Sequence, residues 1–148
     1  KRLIESFSYD GAQDGMEGIL LKIKPENKKL KIEYAAAHNA PVLIKNGELV
    51  ELPHDKMPVG EGEIKTSFQL HTLNLEKGDT LYLYTDGYAD QFGGDKQKKF
   101  KYKQLHETLF DACNKSLSEQ KEILEKTFEN WKGNNPQTDD VLIIGIKA

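Results

Sequence analysis

Cysteine is almost absent from the 148-residue sequence: Cys113 stands alone, so the chain can close no disulfide on itself and can build no cysteine-ligated metal site. A lone thiol suits a reducing compartment, here the cytoplasm, and reads as a small packing residue of a helix. Long apolar runs are also missing. The longest, "VLIIGI" at 141 to 146, falls far short of a membrane span, and the sequence shows neither a transmembrane helix nor a signal peptide, although a longer parent could be membrane-anchored. A large surplus of either charge is lacking as well. The formal net charge is −3, and only "DKQKKFKYK" at 95 to 103 is densely basic, which argues against nucleic acid as the main partner and against membrane contact by this segment. There is no internal repeat, low-complexity tract or clear linker. The opening "KRLIESFSYDG" carries no initiator methionine, which reads as a processed chain or a piece of a longer one.

What is present describes a globular domain. Hydrophobic residues make up 37 % and charged residues 30 %, and a chain of this length buries about 70 % of its unfolded surface. One domain with one core is therefore expected over residues 1–148.

The periodicity changes once along the chain. "MEGILLKIK" at 16 to 24 and "LKIEYAAA" at 30 to 37 read as strands around the turn "PENKK", and "PVLIK" and "ELVEL" flank Asn46-Gly47 as a tight hairpin. Residues 53 to 66 have two prolines, two glycines and no periodicity, so they form a loop. Strands resume at 67 to 75 and 80 to 85. Two amphipathic helices then follow: 102 to 114, with Leu105, Leu109, Phe110 and Cys113 on one stripe, and 118 to 132, with Ile123, Leu124, Phe128 and Trp131. Ser118 is the expected N-cap of the second and Gly133 its stop. The closing strand, 141 to 147, is apolar at nearly every position, which predicts a central strand covered on both faces. The fold class is α+β, with antiparallel sheet packed against the two helices.

Two of these strands meet carboxylates at their ends. Asp86 leaves the strand at 80 to 85, while Asp139 and Asp140 enter the last strand. If those strands are antiparallel neighbours the carboxylates converge, and converging ionised carboxylates call for raised pKa values or a divalent cation. Oxygen ligands without cysteine or an HxxxH pair favour Mg²⁺ or Mn²⁺ over zinc. The glycine after Asp86 lets the backbone turn sharply, although Asp-Gly is also a common turn pair and Asp139-Asp140 also reads as a solvated strand entry. Tyr82, Tyr84 and Tyr88 read as core and rim aromatics.

Taken together, "IEYAAAHNAPVLIKNGELVEL", "MPVG", "LNLEKGDTLYLYTDGYADQF" and "NNPQTDDVLIIGI", in this order and spacing, resemble the later part of the SpoIIE-like branch of the metal-dependent protein phosphatase 2C superfamily, from Asp14 to Ile146. The resemblance implies hydrolysis of phosphoserine or phosphothreonine in a phosphoprotein substrate, with two Mg²⁺ or Mn²⁺ ions activating a bridging water for in-line attack on phosphorus. It implies Asp86 and Asp139 as metal ligands, Asp140 as the neighbour of the second, and no protein nucleophile. It also implies an upstream sensory or regulatory domain in the parent chain.

Two departures from the family stand out. Relatives commonly have Gly-His where this chain reads Ala37-His38, and His38 reads as a packing or hydrogen-bonding residue. The family's early Gly-Asp and Asp-x-x-Gly-x-Gly stretches have no counterpart here, since Asp10 and Asp14, each followed by glycine, stand in the wrong context. A partial phosphatase sandwich without its N-terminal strands is therefore expected, holding metal weakly and hydrolysing negligibly by itself, with an exposed sheet edge that invites a homo-oligomer. The alternative is a degenerate, non-catalytic phosphatase-like module that binds a phosphorylated partner or regulator.

Overall fold

The computed structural model describes residues 15–27, 29–60 and 66–148. In chain order they form β1 (Gly15–Met16), β2 (Gly18–Glu26), β3 (Lys29–Ala37), β4 (Val42–Lys45), β5 (Glu48–Glu51), β6 (Val59–Gly60), β7 (His71–Leu75), β8 (Thr80–Tyr84), α1 (Gly87–Asp90), β9 (Phe92–Gly93), β10 (Lys98–Lys99), α2 (Tyr102–Ala112), α3 (Leu117–Lys132) and β11 (Ile143–Lys147). One antiparallel sheet has the order β11-β8-β4-β5 and a second the order β2-β3-β7, while β1 pairs with β6 and β9 with β10. The class is α+β, as the sequence pattern predicts.

The four-stranded sheet is the middle of three layers because its strands are apolar on both faces. Val42, Ile44, Tyr82 and Tyr84 point to one side, where they pack with Leu105 and Leu109 of α2 and Leu124 and Phe128 of α3. The alternate residues Leu43 and Leu81 point to the other side and meet Ile32, Tyr34 and Leu75 of the three-stranded sheet. Tyr82 is buried in the helix layer with its hydroxyl donating to Gln120 Oε1 at 2.7 Å, and Tyr88 donates to the Leu124 carbonyl at 2.9 Å. These tyrosines are core residues with satisfied hydroxyls.

Local chemistry accounts for the turns. Asn46 and Gly47 both take positive φ, 53° and 76°, as a two-residue hairpin of this twist requires. β2 runs through Pro25 on a sheet edge, where a missing N–H costs no ladder bond, and it leaves Leu20 and Ile23 exposed.

Several expectations need correction. The turn read at 25 to 29 is strand at Pro25, Glu26 and Lys29, and the loop read at 53 to 66 contains β6. The N-cap of α3 is Ser116: its hydroxyl accepts from Glu119 N–H at 3.3 Å and the Glu119 carboxylate accepts from Ser116 N–H at 2.9 Å. A capping box needs an acid three residues on, which Ser116 has and Ser118, followed at that spacing by Lys121, does not. Phe110 is 39 % exposed, because it lies about 140° around α2 from Leu105, off the buried stripe. The strand expected from residue 67 begins at His71, and 67–70 is exposed chain outside the ladder. Finally, β11 is an edge strand among the described residues, paired only with β8, and Leu142 and Ile144 are half-exposed.

Candidate metal centre at the ends of two neighbouring strands

β8 and β11 pair antiparallel, from Thr80↔Lys147 to Tyr84↔Ile143. The ladder continues one residue further through a side chain. Thr85 N–H donates to Leu142 O at 3.0 Å, its hydroxyl donates to Asp140 O at 2.8 Å, and the same hydroxyl accepts from Leu142 N–H at 3.0 Å. That clip sets Asp86 at the point where β8 ends, beside the chain entering β11.

Gly87 brings the two segments closer than any other residue type allows. A Cβ on Gly87 would stand 2.4 Å from Asp140 O and 3.3 Å from the carbonyl carbon of Asp139. The segments that carry Asp86 and Asp139 are therefore in backbone contact. Asp86 is half-buried, whereas Asp139 and Asp140 are exposed. Asp139 Oδ1 accepts from Asp140 N–H at 2.6 Å, and Gln137 Nε2 donates to the Asp139 carbonyl at 2.8 Å.

A buried glutamine holds this loop to α1. Gln91 is fully buried; its Nε2 donates to the carbonyls of Phe92 and Pro136 at 3.0 Å each, and its Oε1 accepts from Thr138 N–H at 3.0 Å. Its carbonyl in turn accepts from Trp131 Nε1 at 3.0 Å. A buried amide with every partner in place fixes the chain from 136 to 138, and so the approach to Asp139.

Asp86 lines a cleft of about 340 Å³ whose walls include Ile19, Leu83 and Ile144, with Glu17 and Asn39 also lining it. Asn39 Nδ2 donates to the Tyr84 carbonyl, fixing that wall. Burial pushes the Tyr102 phenol up to about 12, and the charges of Asp86, Asp90 and Glu17 add to the rise. A larger cleft of about 760 Å³ lies between β11 and α3, lined by residues such as Leu117, Leu124 and Ile143, and none of these three acids reaches it.

The oxygen-only donors suit a hard divalent cation in kind. In number they fall short, since among the described residues no group of three or more His, Cys, Asp or Glu side chains lies together. Asp10 and Asp14 lie outside the described residues. Glu17, Thr85 and Gln91 escape a reading of the sequence. The polar Thr85 directly before Asp-Gly is a signal that could have been used, while nothing marks Gln91 as buried. His38 has an exposed side chain and left-handed backbone, φ 59°, with its N–H donating to Asp55 O at 2.9 Å. Ala37 is the last residue of the regular strand β3.

A second polar chain backs the site from the helix side. Tyr84 OH lies 2.8 Å from His106 Nε2, and His106 Nδ1 lies 3.5 Å from Glu51. Burial holds His106 below its ordinary pKa, against the opposing charge of Glu51, and pushes Tyr84 up. With a depressed folded-state pKa, the unfolded chain binds the proton first as pH falls, so stability is complete above the unfolded value of about 6.5 and is lost as pH drops through the folded value. Thermal melts between pH 8 and pH 5 should fall for the wild type and fall less for His106→Gln; parallel curves would refute the assignment.

The layered α+β architecture is that of a protein phosphatase 2C domain. The chain belongs to the SpoIIE family: the family profile "Stage II sporulation protein E (SpoIIE)" matches residues 2–148. Among solved structures it is similar to the SiaA-PP2C domain of Pseudomonas aeruginosa, with 27 % identity, 81 % of this chain and 50 % of that one covered, and a TM-score of 0.72. It shares its fold with the phosphatase domain of the cell-fate determinant SpoIIE from Bacillus subtilis (11 % identity, 99 % and 63 % covered, TM-score 0.62). The same holds for a structure of RsbU and RsbW domains from Mycobacterium tuberculosis (17 % identity, 99 % and 39 % covered, TM-score 0.64). No curated protein gives a match. The chain thus spans between 39 % and 63 % of the length of these three structures.

Proposed function

We propose that this chain forms part of a metal-dependent protein serine/threonine phosphatase site, in which Asp86 and Asp139 would hold Mg²⁺ or Mn²⁺. The observation that carries the reading is the close backbone approach of Gly87 to Asp139 and Asp140, which brings together the segments that bear acids 53 positions apart (139 − 86). A bound ion supplies charge neutralisation of phosphoryl oxygens and acidifies water for attack on phosphorus. The chain's own residues supply the rest. The Thr85 hydroxyl and the Gln91 amide fix the two acid-bearing segments, so the carboxylates need little reorganisation when an ion or phosphoryl group arrives. Apolar walls from Ile19, Leu83 and Ile144 lower the dielectric around Asp86, which strengthens its attraction for a cation.

The test is Mn²⁺ titration followed by electron paramagnetic resonance of the free ion. Asp86→Asn keeps the shape and removes the charge, and it should weaken binding about a hundredfold, to the level of the Asp86→Asn/Asp139→Asn double variant. Equal affinity in wild type and Asp86→Asn would overturn the proposal. The shortage of a third carboxylate among the described residues favours one second reading, a module that binds a phosphorylated partner without hydrolysing it. Phosphopeptide binding without Mn²⁺-dependent release of phosphate would select it.

A further inference from the structure

The segment from 95 to 103 holds five lysines and one aspartate in a chain of net charge −3, and Lys96, Lys98, Lys99, Lys101 and Lys103 are all exposed. Lys99 pairs with Asp90 at 2.8 Å and Lys103 faces Glu107 at 3.9 Å, while Lys96, Lys98 and Lys101 form no ion pair with any described residue. The base of this hairpin is tied to α1 and α3. Phe100 N–H donates to Gln91 O at 3.0 Å and Lys101 N–H to Ala89 O at 2.7 Å, and the Phe100 ring packs edge-on against Trp131. Lys101 is held at φ 76°, a left-handed conformation unfavourable for a side chain of this kind, as the N-cap of α2, yet its side chain caps nothing.

The position of the hairpin gives these charges a direction. Asp90, the partner of Lys99, ends the helix that begins at Gly87, and its N–H donates to Asp86 O at 2.9 Å. Phe92, 44 % exposed at the start of the hairpin, adds an apolar contact. We infer that the β9–β10 hairpin together with the start of α2, Phe92 to Lys103, is a docking element for an acidic stretch of a protein partner, placed beside the helix that follows Asp86. The inference rests on the phosphatase reading only in making that partner the substrate. A protein segment fits better than a nucleic acid or an anionic membrane, because the positive footprint is one hairpin with an aromatic at its edge on an otherwise acidic molecule. Charges so placed act chiefly on encounter and orientation.

The experiment uses fluorescence anisotropy with three labelled peptides: a phosphoserine peptide with acidic flanks, the same phosphoserine with neutral flanks, and the acidic peptide without phosphate. The triple variant Lys96→Glu/Lys98→Glu/Lys101→Glu should bind both acidic peptides about tenfold more weakly, and wild-type binding should weaken with salt. The control Lys121→Glu/Lys126→Glu, with exposed substitutions on α3, should leave binding unchanged, and melting curves of both variants should overlay the wild type. Unchanged acidic-peptide affinity in the triple variant, or an equal loss in the control, would overturn the inference. So would tighter binding to duplex DNA or to phosphatidylserine vesicles than to the acidic peptides. Lysine-dependent binding of acidic peptides without phosphate release would uphold the docking element while sinking the phosphatase reading.

Discussion

Gly93→Ala lowers the stability of the chain by about 3 kcal/mol and its melting temperature by about 10 °C, the high end of the cost of an overpacked methyl. The added Cβ would lie 1.8 Å from the Trp131 carbonyl oxygen, 2.5 Å from its carbon and 2.9 Å from the indole Cδ1. No flexible side-chain end can swing away. The Trp131 carbonyl belongs to the last turn of α3 and accepts from Gly94 N–H at 2.9 Å, while the indole N–H is bound to Gln91 O. Moving the tryptophan therefore loosens the helix end, the hairpin and the glutamine that steadies the approach to Asp139. Gly18→Ala is the matched control, since a Cβ there meets nothing within 4 Å, and it should change stability by less than about 0.5 kcal/mol. Calorimetric melts that overlay for Gly93→Ala and wild type would show the packing to be looser than described.

The same tertiary contacts explain what the sequence conceals. The long strands and both helices are visible because each writes its burial into a period: alternation through Leu81–Tyr84 separates two core faces, and Leu105, Leu109 and Leu124, Phe128 keep helical spacing. The hairpin of β9 and β10 has strands of two residues each, too short for any period, and it exists because Gly93 and Gly94 fit against Trp131. Gln91 is polar by composition and fully buried by context, so only its partners at 92, 136 and 138 reveal its role. The apolar run of β11 misleads for a related reason. Burial of Ile143 against the helices and Ile146 against the second sheet demands apolar residues on both faces, yet Leu142 and Ile144 open toward the cleft. Asp86 and Asp139 stand out in the sequence because each lies just beyond a strand, whereas the Thr85 hydroxyl that joins their segments is marked only by its place directly before Asp-Gly.

Gly87→Ala separates the effects of shape and charge at this site. Alanine favours a helix interior over glycine by about 1 kcal/mol, so local propensity at the first residue of α1 argues for stabilisation. Packing opposes it more strongly. The Cβ would meet Asp140 O at 2.4 Å, and that oxygen is held by the Thr85 hydroxyl at 2.8 Å, so the strand entry must retreat and the clip must lengthen. The net expectation is a loss of about 2 to 3 kcal/mol, with Mn²⁺ affinity falling about tenfold or more although both carboxylates remain. Asp86→Asn, which changes no packing volume, should lose metal affinity with little change in melting temperature. If Gly87→Ala melts early but keeps wild-type Mn²⁺ affinity, the close approach of the two segments serves the fold alone, and the acids at 86 and 139 do not act as one ligand set.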